Sequence, residues 1–227
     1  MSKISIIIPT INEANNLPLL LSDLSTIYKD GEIIIVDCGS EDKTIDIANI
    51  YGAKVFLSKE KNRGLQLDIG ARHSKGNWLI FLHADTRLTH DWFRKTNSFL
   101  KGNKNSIYYF KFKIDHKKII YRVLEILVNF RSKYFKQPYG DQGLIIHRTT
   151  YFKNNGFRKI PLMEDVDFLR RLKNKKDLKE LNSNILISSR KWEKTNIFLQ
   201  AIKNWHFRRR WLKGESLKTI YSDYYKK

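Results

Sequence analysis

Trp78–Arg87 reads WLIFLHADTR. Trp78 to Leu82 is a short apolar run of β-formers preceded by the turn pair Gly76-Asn77, the pattern of a buried strand. His83, Ala84 and Asp85 follow directly at its carboxyl end. In open α/β sheets, ligands bind outside the carboxyl ends of the strands. A carboxylate there can hold a hard divalent ion, which in turn neutralises a diphosphate. A lone aspartate after a strand serves equally well as a cap or turn residue, so the weight of Asp85 depends on the rest of the chain.

Upstream, the pattern alternates. Ile4 to Ile8 reads as a first buried strand ended by Pro9 and Thr10. Thr10 or Asn12 can cap a helix from about Glu13 to Tyr28, with Leu17, Leu20, Leu21 and Leu24 on one face. Asp30-Gly31 turns the chain into a strand from Glu32 to Val36, followed by Asp37-Cys38-Gly39-Ser40. A helix from Ser40 or Asp42 to Tyr51 stops at Gly52. Lys54 to Leu57 is a third strand and Gly64 to His73 another helix. This alternation predicts a parallel, doubly wound sheet. The glycine-rich dinucleotide fingerprint and the P-loop are both absent, because PTINEANN follows the first strand.

Downstream, helices are expected over Thr89 to Leu100, Ile119 to Phe135 and Thr149 to Asn155, and from Leu162–Asp167 to about Lys173. Strands are expected over Ser106 to Ile114, Leu144 to His147 and Ile185 to Ser188. Tyr139 to Gly143 forms a glycine-bracketed turn. From Thr195 the chain is helical, basic and aromatic.

The 227 residues suit one α/β domain with a substantial core. Within it, residues 1–100 form a regular half and 101–192 a less regular half, with basic helices over 193–227. A hydrophobic content of 41% excludes a disordered chain. The single cysteine, Cys38, excludes an internal disulfide framework and suits a cytoplasmic setting. Met1-Ser2-Lys3 leads into an apolar run too short for a secretory core, and no apolar run approaches the ~20 residues that span a bilayer. The net charge of +20 implies attraction to anions: nucleic acid, anionic lipid or phosphorylated small molecules. A basic helix from Ile197 to Leu212, with Phe198, Ile202, Trp205 and Leu212 near one face, either lies peripherally on an anionic membrane or packs on the domain and exposes Arg208 to Arg210.

Four pieces occur in one order: IIIPTINEANNLP, IIIVDCGSEDKT, LIFLHADTRL and PLMEDVDFLRRL. The set resembles the family 2 glycosyltransferases. YGDQG and SSRKWEK are similar to one subfamily of these, found beside radical SAM and selenium-related genes and named for arsenosugar biosynthesis. The resemblance implies the Rossmann-like nucleotide-diphospho-sugar transferase (glycosyltransferase A) fold, with a mainly parallel central sheet flanked by helices. It implies an inverting transfer from a nucleoside-diphosphate sugar to a small-molecule or lipid-linked hydroxyl. By the same resemblance, Pro9, Thr10, Asn12 and Glu13 surround the base and ribose, and Asp37 contacts the base, with Cys38 where many relatives carry a second acid. Gly64, Gln66, Asp68 and Gly70 match the helix flanking the nucleotide. His83-Ala84-Asp85 stands where relatives carry Asp-x-Asp, which makes Asp85 the carboxylate for Mg2+ or Mn2+. Asp165 matches the catalytic base of inverting members, and the resemblance makes residues 1–100 the nucleotide-sugar-binding half and 101–192 the acceptor and catalytic half.

Chemistry adds to this. A departing diphosphate needs a metal ion and cationic or N–H donors. His83 is a metal ligand better suited to Mn2+, a ribose contact or a strand end. Asp165 sits at a helix start, where the dipole favours a carboxylate able to accept the acceptor's proton. Glu164 joins the acceptor side or, with Asp165 and Asp167, decorates a first helical turn. Gly140 lets backbone approach a ligand closely, and Asp141 and Gln142 hydrogen-bond sugar hydroxyls or form a plain turn. Arg190 and Trp192 face diphosphate and sugar, or end a strand and fill the core. Arg87 faces phosphate or solvent. Two other readings remain: a sugar-nucleotide nucleotidyltransferase, which lacks its glycine-rich basic loop here, and a charge-driven binder of nucleic acid or anionic membrane.

Overall fold

The computed structural model describes residues 4–25, 31–89, 91–172, 174, 177–188 and 197–225. Strand β1 (Ile4–Thr10) forms where four isoleucines leave no surface exposed. Apolar residues on both faces of a strand require cover on both sides. β2 (Gly31–Asp37) lies parallel to β1 with Ile4 opposite Gly31, and β3 (Lys54–Leu57) lies parallel to β2. β4 (Trp78–Phe81) flanks β1 on its other side, also parallel, with Ile4 opposite Trp78.

Beyond β4 the sheet becomes mixed. β7 (Leu144–His147) pairs antiparallel with both β4 and β6 (Ile107–Asp115), and β8 (Leu178–Ser188) runs parallel to β6. A short strand, β5 (Thr86–Leu88), closes the edge antiparallel to β8. The eight strands are ordered β3-β2-β1-β4-β7-β6-β8-β5.

Helices cover both faces. On one, α1 (Leu17–Asp23), α2 (Thr44–Ile50), α4 (Trp92–Thr96) and α5 (Ile119–Tyr134) pack on Ile6, Ile8, Ile33 and Ile35 and on Phe110 and Phe112. On the other, α3 (Arg63–His73), α6 (Arg148–Lys153) and α7 (Glu164–Arg171) pack on Ile7, Ile34, Val36 and Phe81. Two C-terminal helices, α8 (Ile197–Leu212) and α9 (Leu217–Tyr225), close the chain. They join the domain through Phe207 and Ile220 against Leu162. No described helix is long and apolar enough to cross a membrane.

Several expected elements differ. The first helix starts at Leu17, because residues 13–16 turn with Asn16 N donating to Glu13 O at 3.0 Å; its expected end at Tyr28 lies outside the described residues. The helix expected over Thr89 to Leu100 is α4 followed by a 3-10 turn, Asn97–Lys101. The last strand is eleven residues and not four. Its first half reads as polar because Lys179, Asn182 and Asn184 alternate with buried Leu178, Leu181 and Ser183. Arg87 is half-exposed, with its guanidinium engaged in an ion pair. It grips Asp23 at 2.6 and 2.9 Å and ties α1 to β5. On α8 the buried anchor is Phe207, while Ile202, Trp205 and Leu212 are exposed.

Candidate active site

The carboxyl ends of β1, β2 and β4 lie at the same end of the sheet. Thr10 ends β1 and Asp37 ends β2, paired in register. Asp37 is fully buried. Its Oδ2 accepts from Thr10 Oγ1 at 2.7 Å and from Ser40 Oγ at 2.6 Å, and its Oδ1 accepts from the Ser40 backbone at 2.8 Å. Beside it, Asn12 adopts a left-handed backbone (φ 53°), donates from its backbone to Ser40 Oγ and accepts from the Glu41 backbone at Oδ1. Glu13 donates from its backbone to Thr44 Oγ1. Pro9 is half-buried at the end of β1. These bonds fasten the loop after β1 to the loop after β2. Cys38 is buried, its thiol donating to Glu60 O, and burial pushes that thiol up, away from nucleophile chemistry.

On α3, Gln66 Nε2 donates to Thr10 O at 3.0 Å and Val36 O at 2.8 Å, so its amide holds two strand ends. Asp68, expected near the nucleotide, points elsewhere. Its carboxylate accepts from Arg72 Nε at 2.7 Å and from Tyr151 OH at 3.3 Å. Gly64 is required by contact, since a Cβ there would lie 2.1 Å from Arg158 O.

β4 delivers His83, Ala84 and Asp85. Ala84 is buried, while His83 and Asp85 are half-buried and line a cleft of about 430 Å³. No hydrogen bond or ion pair with a described residue engages the Asp85 carboxylate. Asp165 lines the same cleft from the start of α7. The turn into α7 is sharp: Met163 sits at φ 63°, a conformation costly for a residue with a side chain. Asp165 Oδ2 accepts from the Gly140 backbone and Oδ1 from the Val166 backbone, both at 2.7 Å. A Cβ on Gly140 would sit 3.0 Å from His83 Nε2 and 3.3 Å from Asp165 Oδ2. Gly140 therefore lets the turn nest between the β4 end and the α7 start.

Three arginines face this cleft: Arg63, Arg131 and Arg208. Arg131 lies 4.0 Å over the Tyr139 ring and Arg208 lies 5.2 Å from it. Arg208 also donates to the Tyr139 hydroxyl. Burial raises the Tyr139 hydroxyl's pKa, and the two guanidinium groups oppose that. Burial lowers that of Arg131, with Asp141 and Tyr139 opposing. Arginine stays charged regardless. Asp141 lines the cleft.

Two residues expected on the acceptor side are elsewhere. Gln142 is fully buried; its amide accepts from Ser132 Oγ and donates to Phe110 O at 3.1 Å. Glu164 is buried behind Asp165, paired through one oxygen with Arg63 while its Oε2 has no hydrogen-bond partner. Burial pushes its carboxyl above the ordinary range, against the pull of Arg63. Arg190 and Trp192 lie outside the described residues. Arg63 and Arg131 carry no signal in the sequence, because the placement of an arginine beside a cleft is a tertiary fact. Arg208 belongs to the basic run, of which Arg210 is spent on Glu215 and Asp223.

The cleft thus places cations and three acidic side chains, Asp85, Asp141 and Asp165, around one space. No group of three or more His, Cys, Asp or Glu side chains forms a metal cage among the described residues. One free carboxylate fits a divalent ion that takes its remaining ligands from water and substrate phosphate, and does not fit a closed structural site.

Residues 5–166 match the profile of Glycosyl transferase family 2, well over half the chain. A PGL/p-HBAD biosynthesis glycosyltransferase from Mycobacterium bovis is 38% identical over 91 residues, covering 37% of this chain and 36% of that protein. The matched stretch thus spans about a third of that relative. Among solved structures, S. aureus TarS 1-349 in complex with UDP-GlcNAc superposes with a TM-score of 0.61 at 19% identity, covering 83% of this chain and 56% of that one. Glucosyl-3-phosphoglycerate synthase from Mycobacterium tuberculosis, in complex with Mg2+ and UDP, gives 0.58 at 16% identity, covering 82% and 70%. At these identities the structural likeness shows the glycosyltransferase A fold.

Proposed function

From the fact that this chain belongs to glycosyltransferase family 2, we propose that it moves a sugar from a nucleoside-diphosphate donor to an acceptor hydroxyl, with inversion at the anomeric carbon. The observation that carries the reading is the shared cleft, which Asp85, Asp165 and three arginines line together. The relatives solved with UDP or UDP-GlcNAc support a UDP-sugar as the donor to try first.

In this reaction the acceptor oxygen forms a bond to the anomeric carbon as the bond from that carbon to the diphosphate oxygen breaks. The acceptor's proton passes to Asp165. The backbone N–H groups of Gly140 and Val166 fix the orientation of that carboxylate. Arg63, Arg131 and Arg208 supply positive charge where the leaving diphosphate gains negative charge. Asp85 is the residue to hold Mg2+ or Mn2+, and a bound ion supplies further charge to the diphosphate oxygens. Thr10, Asn12, Glu13 and Asp37 form the base and ribose side, with Gln66 as the brace beneath it.

The acceptor is a small molecule or a lipid-linked hydroxyl. YGDQG and SSRKWEK favour arsenosugar biosynthesis, and glycolipid or glycan biosynthesis is the broader class. The test is release of nucleoside diphosphate from UDP-, GDP-, CDP- and dTDP-sugars with and without Mn2+. Metal-dependent release from one donor, abolished by Asp85→Ala, supports the reading. No release and no binding of any donor would overturn it.

A further inference from the structure

Among the described residues, the outer faces of α5 and α8 are exposed, apolar and basic. On α5, Ile119 is 83% exposed, Ile126 67% and Phe130 51%, with Val123, Tyr134 and Phe135 beside them. This spacing follows one helical stripe. On α8, Ile202 is 59% exposed and Trp205 48%. A folded chain seldom leaves so many large apolar side chains together in water without a surface to bury them on.

The charges among these residues have one sign. α8 contains no acidic residue. The only one on α5 is Glu125, which is buried and turned inward to Arg122 and to the Ile114 backbone. Lys117, Lys118 and Lys133 border the α5 stripe, and Lys203, Arg209 and Lys213 are exposed on and just after α8. Glu215 and Asp223 are spent on Arg210.

The two faces meet at the candidate active site. Leu127 and Trp205 line the cleft and are also exposed at its lip. Arg131 of α5 and Arg208 of α8 both contact the Tyr139 ring, which lines the same cleft.

We propose that the exposed faces of α5 and α8 together dock this protein on an anionic lipid bilayer, with the cleft mouth at the headgroup level. Apolar side chains ringed by lysine and arginine match an interfacial helix lying in the membrane plane. Each helix is 16 residues, about 24 Å long, which is shorter than the ~30 Å hydrocarbon core. A second copy of the chain is a poor occupant, because each copy carries a net charge of +20. The link to catalysis, through a lipid-linked acceptor, rests on the glycosyltransferase reading above; the docking surface itself does not.

The test is flotation of the full chain with phosphatidylcholine vesicles, with and without about 30% phosphatidylglycerol, at low and high salt. The expected result is recovery with the anionic vesicles only, weakened by salt. Ile126→Asp with Phe130→Asp should lower partitioning at least about tenfold, and Lys133→Glu with Arg209→Glu about tenfold at low salt. None of these four residues lines the cleft, so the melting temperature and any nucleotide-induced rise in it should stay as in the wild type.

Absence of anionic-vesicle binding overturns the proposal, as does binding that both double variants leave unchanged. Sedimentation showing a dimer that Ile126→Asp with Phe130→Asp dissociates assigns the surface to a second copy and also overturns it. Vesicle binding without stabilisation by any nucleotide sugar leaves the docking surface standing and removes the glycosyltransferase reading. The reverse pair of results does the opposite.

Discussion

Asp165→Asn separates chemistry from structure at the candidate base. The wild-type carboxylate accepts two backbone N–H bonds at 2.7 Å, one at each oxygen. Asparagine keeps the shape but offers one acceptor oxygen, so its amide nitrogen must face one of those N–H groups. Losing a charge-assisted bond of this kind costs roughly 1.5–3 kcal/mol when buried. Asp165 is half-buried on an open cleft, and water recovers part of that. A cost of about 1–2 kcal/mol corresponds to a melting temperature lower by about 2–8 °C in a chain of this size. The effect on transfer is larger. A positioned general base contributes about 10²–10⁴ in rate, roughly 2.7–5.5 kcal/mol on the barrier. The assay is turnover with a saturating donor and acceptor beside a thermal melt. The expected outcome is a kcat lower by at least about a hundredfold, with donor affinity within about twofold of wild type. Transfer at more than about a tenth of the wild-type rate would show that Asp165 is not the base. A fall in donor affinity matching the fall in rate would move Asp165 to the donor site.

Gly64→Ala brings a Cβ to 2.1 Å from Arg158 O, a backbone atom, so α3 must move off the 158–164 segment. Denaturant unfolding should show a loss of about 1–3 kcal/mol. Gly140→Ala presses on His83 Nε2 and Asp165 Oδ2 at 3.0 and 3.3 Å. Its turnover should fall about ten- to a hundredfold, by displacement of catalytic groups, while calorimetry shows donor binding kept. Glu164 gives a pH signature. Its folded pKa is raised above 4.5, so the native state binds the proton more tightly than the unfolded chain. That contribution to stability is present at and below about 4.5 and declines as pH rises through the raised value. Melting curves across that window should show a fall for wild type that is smaller in Glu164→Gln.

The first half of the fold was legible because its strands carry short apolar runs, Ile6–Ile8 and Ile33–Val36, that alternate with helical stretches. Such strands demand helices on both faces, and parallel pairing follows. The mixed half was less legible. β5 is three residues long, and the first part of β8 alternates polar with buried positions across a register shift beside Tyr109. Asp85 and Asp165 were named in the sequence and do line one cleft. The brace roles of Gln66 and Gln142 were not, because a side chain spent on backbone carbonyls is indistinguishable in sequence from one turned to a ligand. Arg131 reads as the polar side of a surface helix, yet it stacks on Tyr139 within the cleft. Its neighbours come from a turn and a helix far along the chain, and only folding brings them together.

The most direct measurement is the melting temperature with UDP-, GDP-, CDP- and dTDP-sugars, each with and without Mn2+, for wild type and Asp85→Ala. A ligand at about 100 times its Kd stabilises the folded state by about 2.7 kcal/mol, which is a rise of roughly 5–11 °C for a chain this long. A donor site at Asp85 predicts such a rise for one nucleotide sugar, only with metal, and its loss in Asp85→Ala. No rise with any of the four sugars, or an equal rise in Asp85→Ala, would contradict it.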